Sequence, residues 1–455
     1  MNLERVMDYI QANEQSFVDQ LVDFLKIPSI SAQAKHRPDL EKAADFLVKE
    51  FDGLGLAVEK IETDGHPLVY AETGQDPSRP TLLVYGHYDV QPVDPLELWK
   101  NPPFEPKVAN GVIYARGSSD DKGQLYAHIK ALEAYLRTDT ALPVNVKFII
   151  EGEEECGGHN VYTYTEQNAD KLACDAVIIS DTTMFDENTP AICYSLKGLC
   201  FMEIRVKGPA QDLHSGSFGG TVQNPGNAVA TIVAKLKDSR GRVKIPGFYD
   251  DVLSLDSSER AAFASLKYSD RILRRETGAP RAWGEAGYTS LERMWARPTC
   301  DVNGIWGGYS GEGAKTIIPA TAGAKVSMRL VPNQKPAAIA AAFEKYVRRI
   351  APKGVEVEVL NLHNADPVLV PRDSAMMQAG LRALEKGFQR KPVFIREGGS
   401  IPIVGTFQQA LQAPVLLLGL GLSTDNIHSP NEKFHVANFV NGIRTAAHLL
   451  VEATK

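Results

Sequence analysis

The sequence predicts an α/β protein, built on a sheet with helices on both faces and interrupted by an inserted α+β domain. Short apolar, β-branched segments alternate with helical ones in the first and last parts of the chain, which is typical of α/β sheets. The middle part instead alternates like half-exposed antiparallel strands. The 455 residues also exceed one ordinary domain of roughly 100–200 residues. The predicted limits are 1–196 and 367–455 for the α/β domain and 197–366 for the insertion.

The first part begins with two helices, after which the hydrophobic period changes. Apolar residues recur at near-helical spacing over 1–27 until Pro28 ends the run, and a second helix covers Leu40–Leu54. The segments predicted to follow are the strands TLLVYGHYDV (81–90), VIYARG (112–117), VNVKFII (144–150) and AVIISD (176–181), with a helix at Gln124–Leu136.

The strands of the middle part are predicted to be half exposed, whereas the strand of the last part is predicted to be buried. The inserted domain contains the strands CFMEIRVKG (200–208), KVSMRLVP (325–332) and VEVEVL (355–360), with helices at Asn227–Lys237 and Ala337–Ile350. The α/β pattern then returns with a helix at 373–387, the apolar strand VLLLGLGL (415–422) and a closing helix at 434–451.

The charge balance argues against some classes of protein. The chain has 49 Lys and Arg against 56 Asp and Glu, a net charge of −7, without basic runs, so a nucleic-acid partner is not expected. The longest apolar stretch, Ala410–Leu422, is interrupted by Gln412 and Pro414 and falls short of the ~20 residues that span a bilayer. No membrane partner is therefore expected.

The cysteines and the N-terminal residues predict a cytoplasmic protein. Five cysteines without a CxxC pair fit a reducing compartment better than a disulfide framework. The N-terminal segment MNLERVMDYIQ carries Glu4, Arg5 and Asp8 and does not resemble a secretory signal.

Histidines and acidic residues lie at the ends of several predicted strands, where α/β sheets bind ligands. Each segment alone has an ordinary explanation: a capped sheet end, a helix N-cap or a solvated acidic loop. Together they supply two imidazoles and three carboxylates, which suit zinc and related divalent metals. The candidate ligands are His87, Asp120, Glu155, Asp181 and His428, and Asp89 and Glu154 are left over.

Five ligands are one too many for a single tetrahedral site, and a bridging carboxylate resolves this. If Asp120 is shared, one metal has His87 and Asp181, and the other has Glu155 and His428. Each metal then has three protein ligands and an open position, as catalytic sites do. Two metals ~3.5–4 Å apart can activate a shared water and polarise a carbonyl, and Glu154 is free to accept the proton of that water.

The segments GHYDVQP, RGSSDDKG, EGEEECGG, ISD and NIHSPNEK resemble those of the dinuclear zinc amidohydrolases. This family includes the carnosine-type and cytosolic nonspecific dipeptidases, the aminoacylases, the acetylornithine deacetylases and the succinyl-diaminopimelate desuccinylases. The resemblance covers nearly the whole chain and is closest to the dipeptidase branch. It implies the ligand set above, with Asp89 orienting His87 and Glu154 as general base, and it implies that the insertion is a lid and dimerisation domain.

Further segments resemble those of the dipeptidases and imply how the substrate is held. The segment DLHSG implies that His214 stabilises the oxyanion across the interface of a homodimer. The resemblance also implies that Thr316 and Arg329 contact a small peptide substrate. In REGGSIP, it implies that Ser400 hydrogen-bonds the substrate's carboxylate.

The expected function is therefore a dinuclear zinc metallopeptidase that hydrolyses dipeptides or short peptides by metal-activated water and a Glu general base. The alternative is an N-acyl-amino-acid deacylase that removes acetyl or succinyl groups. The resemblance favours the peptidase, because dipeptidases tend to have Asp where Asp181 stands and aminoacylases have Glu. Manganese and cobalt also suit these ligands. A silent metal-binding protein and an acidic-loop protein without metal are the rivals from other classes.

Overall fold

The structure, a computed structural model, describes residues 3–399 and 401–455 and divides them into two compact units. The first unit comprises residues 3–194, 370–395 and 403–455, and the second comprises 195–369 and 396–402 without residue 400. Within the described ranges, no helix combines the length and the apolar character that crossing a membrane requires.

Strands and helices together occupy most of the described chain. The strands are β1 (Ala57–Ile61), β2 (Leu68–Glu72), β3 (Thr81–His87), β4 (Lys107–Ala109), β5 (Val112–Tyr114), β6 (Asn145–Glu151), β7 (Ala176–Met184), β8 (Ala191–Leu196), β9 (Gly198–Lys207), β10 (Leu213–His214), β11 (Asp301–Gly307), β12 (Ile317–Ile318), β13 (Thr321–Leu330), β14 (Glu356–Ala365), β15 (Val368–Leu369), β16 (Val393–Glu397), β17 (Val415–Leu422) and β18 (Lys433–His435).

The helices are α1 (Leu3–Leu25), α2 (Arg37–Gly53), α3 (Lys122–Arg137), α4 (Asn160–Gln167), α5 (Ala169–Leu172), α6 (Ser215–Phe218), α7 (Pro225–Ala234), α8 (Ser257–Ser265), α9 (Asp270–Thr277), α10 (Ser290–Ala296), α11 (Pro336–Ile350), α12 (Ala375–Phe388), α13 (Ile403–Ala410) and α14 (Val436–Glu452). Short 3₁₀ helices stand at Ala34–His36, Leu96–Leu98 and Glu154–Cys156.

The largest sheet has nine strands in the order β1-β2-β6-β3-β7-β17-β8-β15, and β16 also pairs with β8. Its centre, β6-β3-β7-β17, is parallel. These strands are apolar and almost fully buried because helices such as α3, α12 and α14 cover the sheet. The predicted α/β fold class is confirmed, and the carboxyl ends of the four parallel strands meet at one edge.

The second unit is built on the antiparallel sheet β11-β13-β9-β14. Apolar residues of β9 and β13 alternate, so Ile204 and Val326 are buried while Arg205 and Lys325 are exposed. The helices α7 and α11 pack on this sheet, where the ring of Phe343 is fully buried. One face of the sheet therefore carries the core of the unit, as the alternating pattern predicts.

The structure corrects the sequence prediction in strand limits and in strand pairing. The strand predicted over 81–90 ends at His87. The segment VIYARG does not join the large sheet, because β5 pairs with β4 and β18 in a separate three-stranded sheet. Asp181 is not the last residue of its strand, as the predicted limits 176–181 have it, but lies inside β7, which continues to Met184. The pairing of β7 with β3 nevertheless ends at Ile179, so Asp181 lies beyond the last residue that β3 covers.

Candidate metal centre

The parallel register brings the predicted ligands to one edge of the sheet. His87 is the last residue of β3 and pairs with Glu151, the last residue of β6. The 3₁₀ helix that carries Glu154 and Glu155 begins three residues later. Asp181 projects from the other neighbour of β3, which is β7. Ligand sites of α/β sheets form at this position, beyond the carboxyl ends of the strands.

Asp120 lies between the two predicted histidines. Its Oδ1 is 3.2 Å from Nε2 of His87, and its Oδ2 is 2.9 Å from Nε2 of His428. Each histidine has a second carboxylate neighbour. Nε2 of His87 is 4.0 Å from Oδ2 of Asp181, and Nε2 of His428 is 3.2 Å from Oε2 of Glu155.

These residues form two groups that could each hold a metal ion. The groups are His87, Asp120 and Asp181, and Asp120, Glu155 and His428. Within each group the possible ligand atoms lie within 4.8 Å of one another. Asp120 is common to both, and its two oxygens face different groups.

The electrostatics of both groups fit a cation. Hydrogen bonds that the imidazole of His428 donates to the carboxylates of Asp120 and Glu155 raise its pKa to about 10. Burial alone would lower the pKa of His87, but its hydrogen bonds with Asp120 and Asp89 outweigh burial and raise it. The carboxylates thus favour positive charge at both imidazoles. A divalent cation supplies that charge while the imidazoles bind in their neutral form, so the residues present suit a pair of metal ions.

Asp89 connects the imidazole of His87 to the 3₁₀ helix. Nδ1 of His87 lies 3.0 Å from the backbone carbonyl oxygen of Asp89 and 3.4 Å from its Oδ1. The two carboxylate oxygens of Asp89 accept hydrogen bonds from the backbone N–H groups of Glu154 and Glu155, at 3.3 and 3.0 Å. Asp89 therefore orients the ring mainly through its backbone, and its side chain holds the helix that carries the two glutamates.

Glu154 belongs to neither group of possible ligands. Burial raises the pKa of its carboxyl to about 7, and the nearby carboxylates of Glu155, Asp120 and Asp89 add to this, while His87 opposes it. A carboxylate with a pKa near neutrality is suited to accept and return protons.

His428 lies in a loop whose backbone conformation was not predicted. His428 has φ 62°, and Asn426 and Asn431 on either side have φ 58° and 65°. This left-handed region is uncommon for residues other than glycine, and asparagine and histidine are among those that adopt it most often. The side chain amide of Asn426 donates to the carbonyl of Asn431 at 3.1 Å and closes the loop. The surrounding contacts therefore fix His428 in a conformation that costs on the order of 1 kcal/mol.

Gln91 was not predicted as a site residue, yet it contacts one of the predicted ligands. Its side chain amide donates a hydrogen bond to Oε2 of Glu155 at 2.7 Å. Gln91 stands two residues after Asp89 in the segment GHYDVQP, and this position could have identified it as a candidate site residue.

Of the residues predicted in the second unit, His214 has a defined ring orientation. It ends β10, is exposed, and its Nδ1 accepts hydrogen bonds from the backbone N–H groups of Gly216 and Ser217, at 3.0 and 3.3 Å. Since Nδ1 is the acceptor, the proton of the neutral ring is on Nε2. His214 thus presents an N–H donor away from its own loop.

Thr316 lies beside His214, because the backbone N–H of Ser215 donates to the carbonyl of Thr316 at 3.0 Å. Arg329 stands on β13, and partial burial lowers the pKa of its guanidinium. Ser400 lies outside the described residues.

Comparisons with known proteins agree with this fold. The model of peptidase family M20/M25/M40 matches residues 83–452. A Cys-Gly metallodipeptidase of Schizosaccharomyces pombe is 35% identical over 460 residues, which cover 98% of this chain and 97% of the relative.

Two solved structures are similar over almost the whole chain. Human carnosine dipeptidase 1 has a TM-score of 0.88 at 30% identity, covering 99% of this chain and 98% of that one. The M20 metallo-carboxypeptidase Sso-CP2 of Sulfolobus solfataricus has a TM-score of 0.85 at 35% identity, covering 95% and 98%. The chain therefore belongs to the M20 peptidase family, close to its dipeptidases, and is a metal-dependent hydrolase.

Proposed function

We propose that this chain hydrolyses the peptide bond of dipeptides or short peptides with two divalent cations, zinc in the first place and manganese or cobalt as alternatives. The observation that carries the proposal is the position of Asp120, whose two carboxylate oxygens lie 3.2 and 2.9 Å from the histidines of two different groups. A carboxylate shared in this way suits a bridging ligand. In each group an imidazole and a second carboxylate complete three protein ligands, which leaves positions for water and substrate.

When bound, such a metal pair lowers the pKa of a water and polarises the carbonyl under attack. Glu154 accepts the proton of the attacking water on its carboxylate and gives it to the leaving amine nitrogen. Its pKa of about 7, raised by burial, leaves the carboxylate able to do both. Asp89 keeps Nε2 of His87 directed at Asp120 and holds the backbone of Glu154 in place.

We further propose that residues of the second unit hold the substrate in a homodimer. The N–H at Nε2 of His214 would stabilise the oxyanion of the partner's site, because Nδ1 is already used as an acceptor. The planar guanidinium of Arg329 suits the substrate's C-terminal carboxylate, and Thr316 and Ser400 would add hydrogen bonds to it.

The names of the relatives favour a peptide over an N-acyl amino acid as substrate. They describe a Cys-Gly dipeptidase, a carnosine dipeptidase and a carboxypeptidase. All three are peptidases, and the two with dipeptidase names support a substrate of two residues.

A hydrolysis screen tests the proposal. The chain would be supplied with zinc and, separately, with manganese, and challenged with dipeptides, N-acetyl amino acids and N-succinyl amino acids. We expect dipeptides to give the highest kcat/KM, with the Glu154→Gln variant as the inactive control. Faster cleavage of N-acyl amino acids would reject the peptidase in favour of the deacylase.

Two further predictions stay proposals. The odd number of cysteines favours a cytoplasmic location, and no disulfide joins any of the five, all of which lie within the described residues. We also retain domain limits of 1–196, 197–366 and 367–455, since they follow the change from parallel to antiparallel strand patterns in the sequence.

A further inference from the structure

The two segments that carry Asp120 and His428 meet at a buried glutamate. The side chain of Glu432 is fully buried, four residues after His428. Its Oε2 accepts hydrogen bonds from Nη1 of Arg116 at 2.8 Å and from the backbone N–H of Gly117 at 2.9 Å. Its Oε1 accepts from the backbone N–H groups of Ser119 and Asp120, at 2.9 and 3.1 Å. One carboxylate thus holds four donors within a five-residue segment.

This arrangement leaves Glu432 no capacity to bind a metal itself. An ionised carboxylate offers about four acceptor sites, and all four are occupied by donors of the 116–120 segment. Asp120 is held through its backbone and leaves its side chain for the metals. Its backbone N–H donates to Glu432, while its carboxylate oxygens face the two histidines. Glu432 therefore acts on the site through the backbone of Asp120.

The buried ion pair of Glu432 with Arg116 is expected to add little to the free energy of unfolding. Both side chains are about 1% exposed, and desolvation of a buried pair can cancel its Coulomb attraction. Arg116 also donates to the carbonyl of Pro92 at 3.1 Å and lies 5.3 Å from the ring centroid of Trp99. A buried pair with so many directed contacts fixes geometry, which an apolar pair of the same volume would not do.

Asp425 connects the two segments a second time. Its fully buried carboxylate accepts a hydrogen bond from the hydroxyl of Ser119 at 3.3 Å, from the backbone N–H of Leu422 at 2.8 Å and from Nζ of Lys433 at 3.1 Å. Asp425 and Glu432 stand on opposite sides of His428 in the sequence. The loop of His428 is thus attached at both of its ends to the segment of Asp120.

From these contacts we infer that Glu432 is a positioning residue, which fixes Asp120 and His428 relative to each other so that both metal ions can be bound. The inference rests on the proposed dinuclear site. Asp120 belongs to both groups of possible ligands, so a shift of its backbone should weaken both. Gln91 offers a contrast, since it contacts Glu155, which belongs to one group only.

The test is a titration of the metal-free protein with Co²⁺ alone, followed by visible absorption and calorimetry. The Glu432→Gln substitution keeps the size of the side chain but turns an NH₂ group toward two N–H donors. We expect affinity for both Co²⁺ equivalents to fall by ~10- to 100-fold, as with other residues that orient metal ligands, and the absorption bands of both ions to change. Gln91→Ala should weaken one equivalent only.

A matched control separates positioning from general stability. Glu452 is also a buried carboxylate, with ion pairs to Arg382, Lys386 and Lys455. The Glu452→Gln variant should lose stability without losing Co²⁺ affinity. If Glu432→Gln does not fold, Arg116→Lys replaces it in the titration. Lysine keeps the positive charge but lacks the planar guanidinium with its several N–H donors. Affinity for both Co²⁺ equivalents should again fall.

The possible results are distinct. Wild-type affinity for both equivalents in the folded Glu432→Gln variant, or in Arg116→Lys if it is used instead, would overturn the inference. An equal loss in Glu452→Gln would also overturn it, because the effect would then follow stability. If the wild-type chain binds no Co²⁺, the proposed dinuclear function fails instead.

Discussion

Replacement of Glu154 by glutamine removes the proposed proton acceptor with little change in size. Glu154 belongs to neither group of possible metal ligands, so the variant should keep its metal content. Its backbone N–H, which Asp89 accepts at 3.3 Å, is unaffected by the substitution. The variant therefore isolates proton transfer from metal binding.

The expected loss follows from the chemistry of general bases. Removal of a positioned base typically costs ~10²–10⁴ in rate, which corresponds to about 3–5 kcal/mol in the activation barrier. Because binding of the substrate does not need the proton acceptor, the loss should appear in kcat with KM little changed. The kcat of the wild-type enzyme should also fall as the pH is lowered, because Glu154 must be deprotonated to accept a proton. This fall is the acid limb of the pH profile. Burial and neighbouring carboxylates raise the pKa of Glu154 to about 7, and bound cations should move that limb below 7.

The assay combines initial rates of dipeptide hydrolysis with the metal content of the same samples. Glu153→Gln is the control. Glu153 is the adjacent acid, accepts hydrogen bonds from the backbone N–H of His66 and the amide of Asn160, and belongs to neither group of ligands. A kcat within tenfold of wild type in metal-loaded Glu154→Gln, or an equal loss in Glu153→Gln, would refute the proposed role.

Other predictions concern stability and assembly. Burial lowers the pKa of His128 from 6.5 to about 4. Between these two pH values the unfolded chain binds a proton at His128 and the folded chain does not. Between pH 7 and pH 4, wild type should lose about 3 kcal/mol more unfolding free energy than His128→Gln, measured by urea denaturation; equal losses would contradict this. In Gly152→Ala the new methyl group would overlap the ring of Tyr88, which should cost ~1–3 kcal/mol, and an unchanged urea midpoint would refute the clash. Mixing His214→Ala with Glu154→Gln chains should restore about a quarter of the wild-type sites if the dimer shares its site, and no recovery would count against sharing.

The sheet centre was predictable from the sequence because its signal is local. The strand β17 (Val415–Leu422) has the predicted limits, and β6 (Asn145–Glu151) is shifted by one residue. Long apolar runs bounded by polar residues specify a buried strand whatever its partners are.

Strand pairing was not predictable in the same way, because it depends on distant segments. β5 resembles its apolar neighbours in composition, but its partner β18 comes from residues 433–435 and draws it into a small separate sheet. The edge strand β11 (Asp301–Gly307) is mostly exposed and lacks the apolar contrast that would have identified it.

The candidate site shows the same division. The types and order of residues were enough to select His87, Asp120 and the other candidate ligands, because imidazoles and carboxylates recur directly after apolar strands or in the loops that follow them. The hydrogen bond between Glu432 and the backbone of Asp120 joins residues 312 positions apart. The left-handed backbone of His428 depends on contacts around its loop. Neither feature leaves a pattern in the local sequence.

Because Asp120 belongs to both groups of possible ligands, metal content tests the proposed dinuclear site most directly. The chain would be loaded with zinc, freed of unbound metal by gel filtration and analysed by mass spectrometry for metal per protein. We predict about two zinc ions per wild-type chain and loss of both in Asp120→Ala, because both groups contain Asp120. One ion per wild-type chain, or two ions retained in Asp120→Ala, would contradict it.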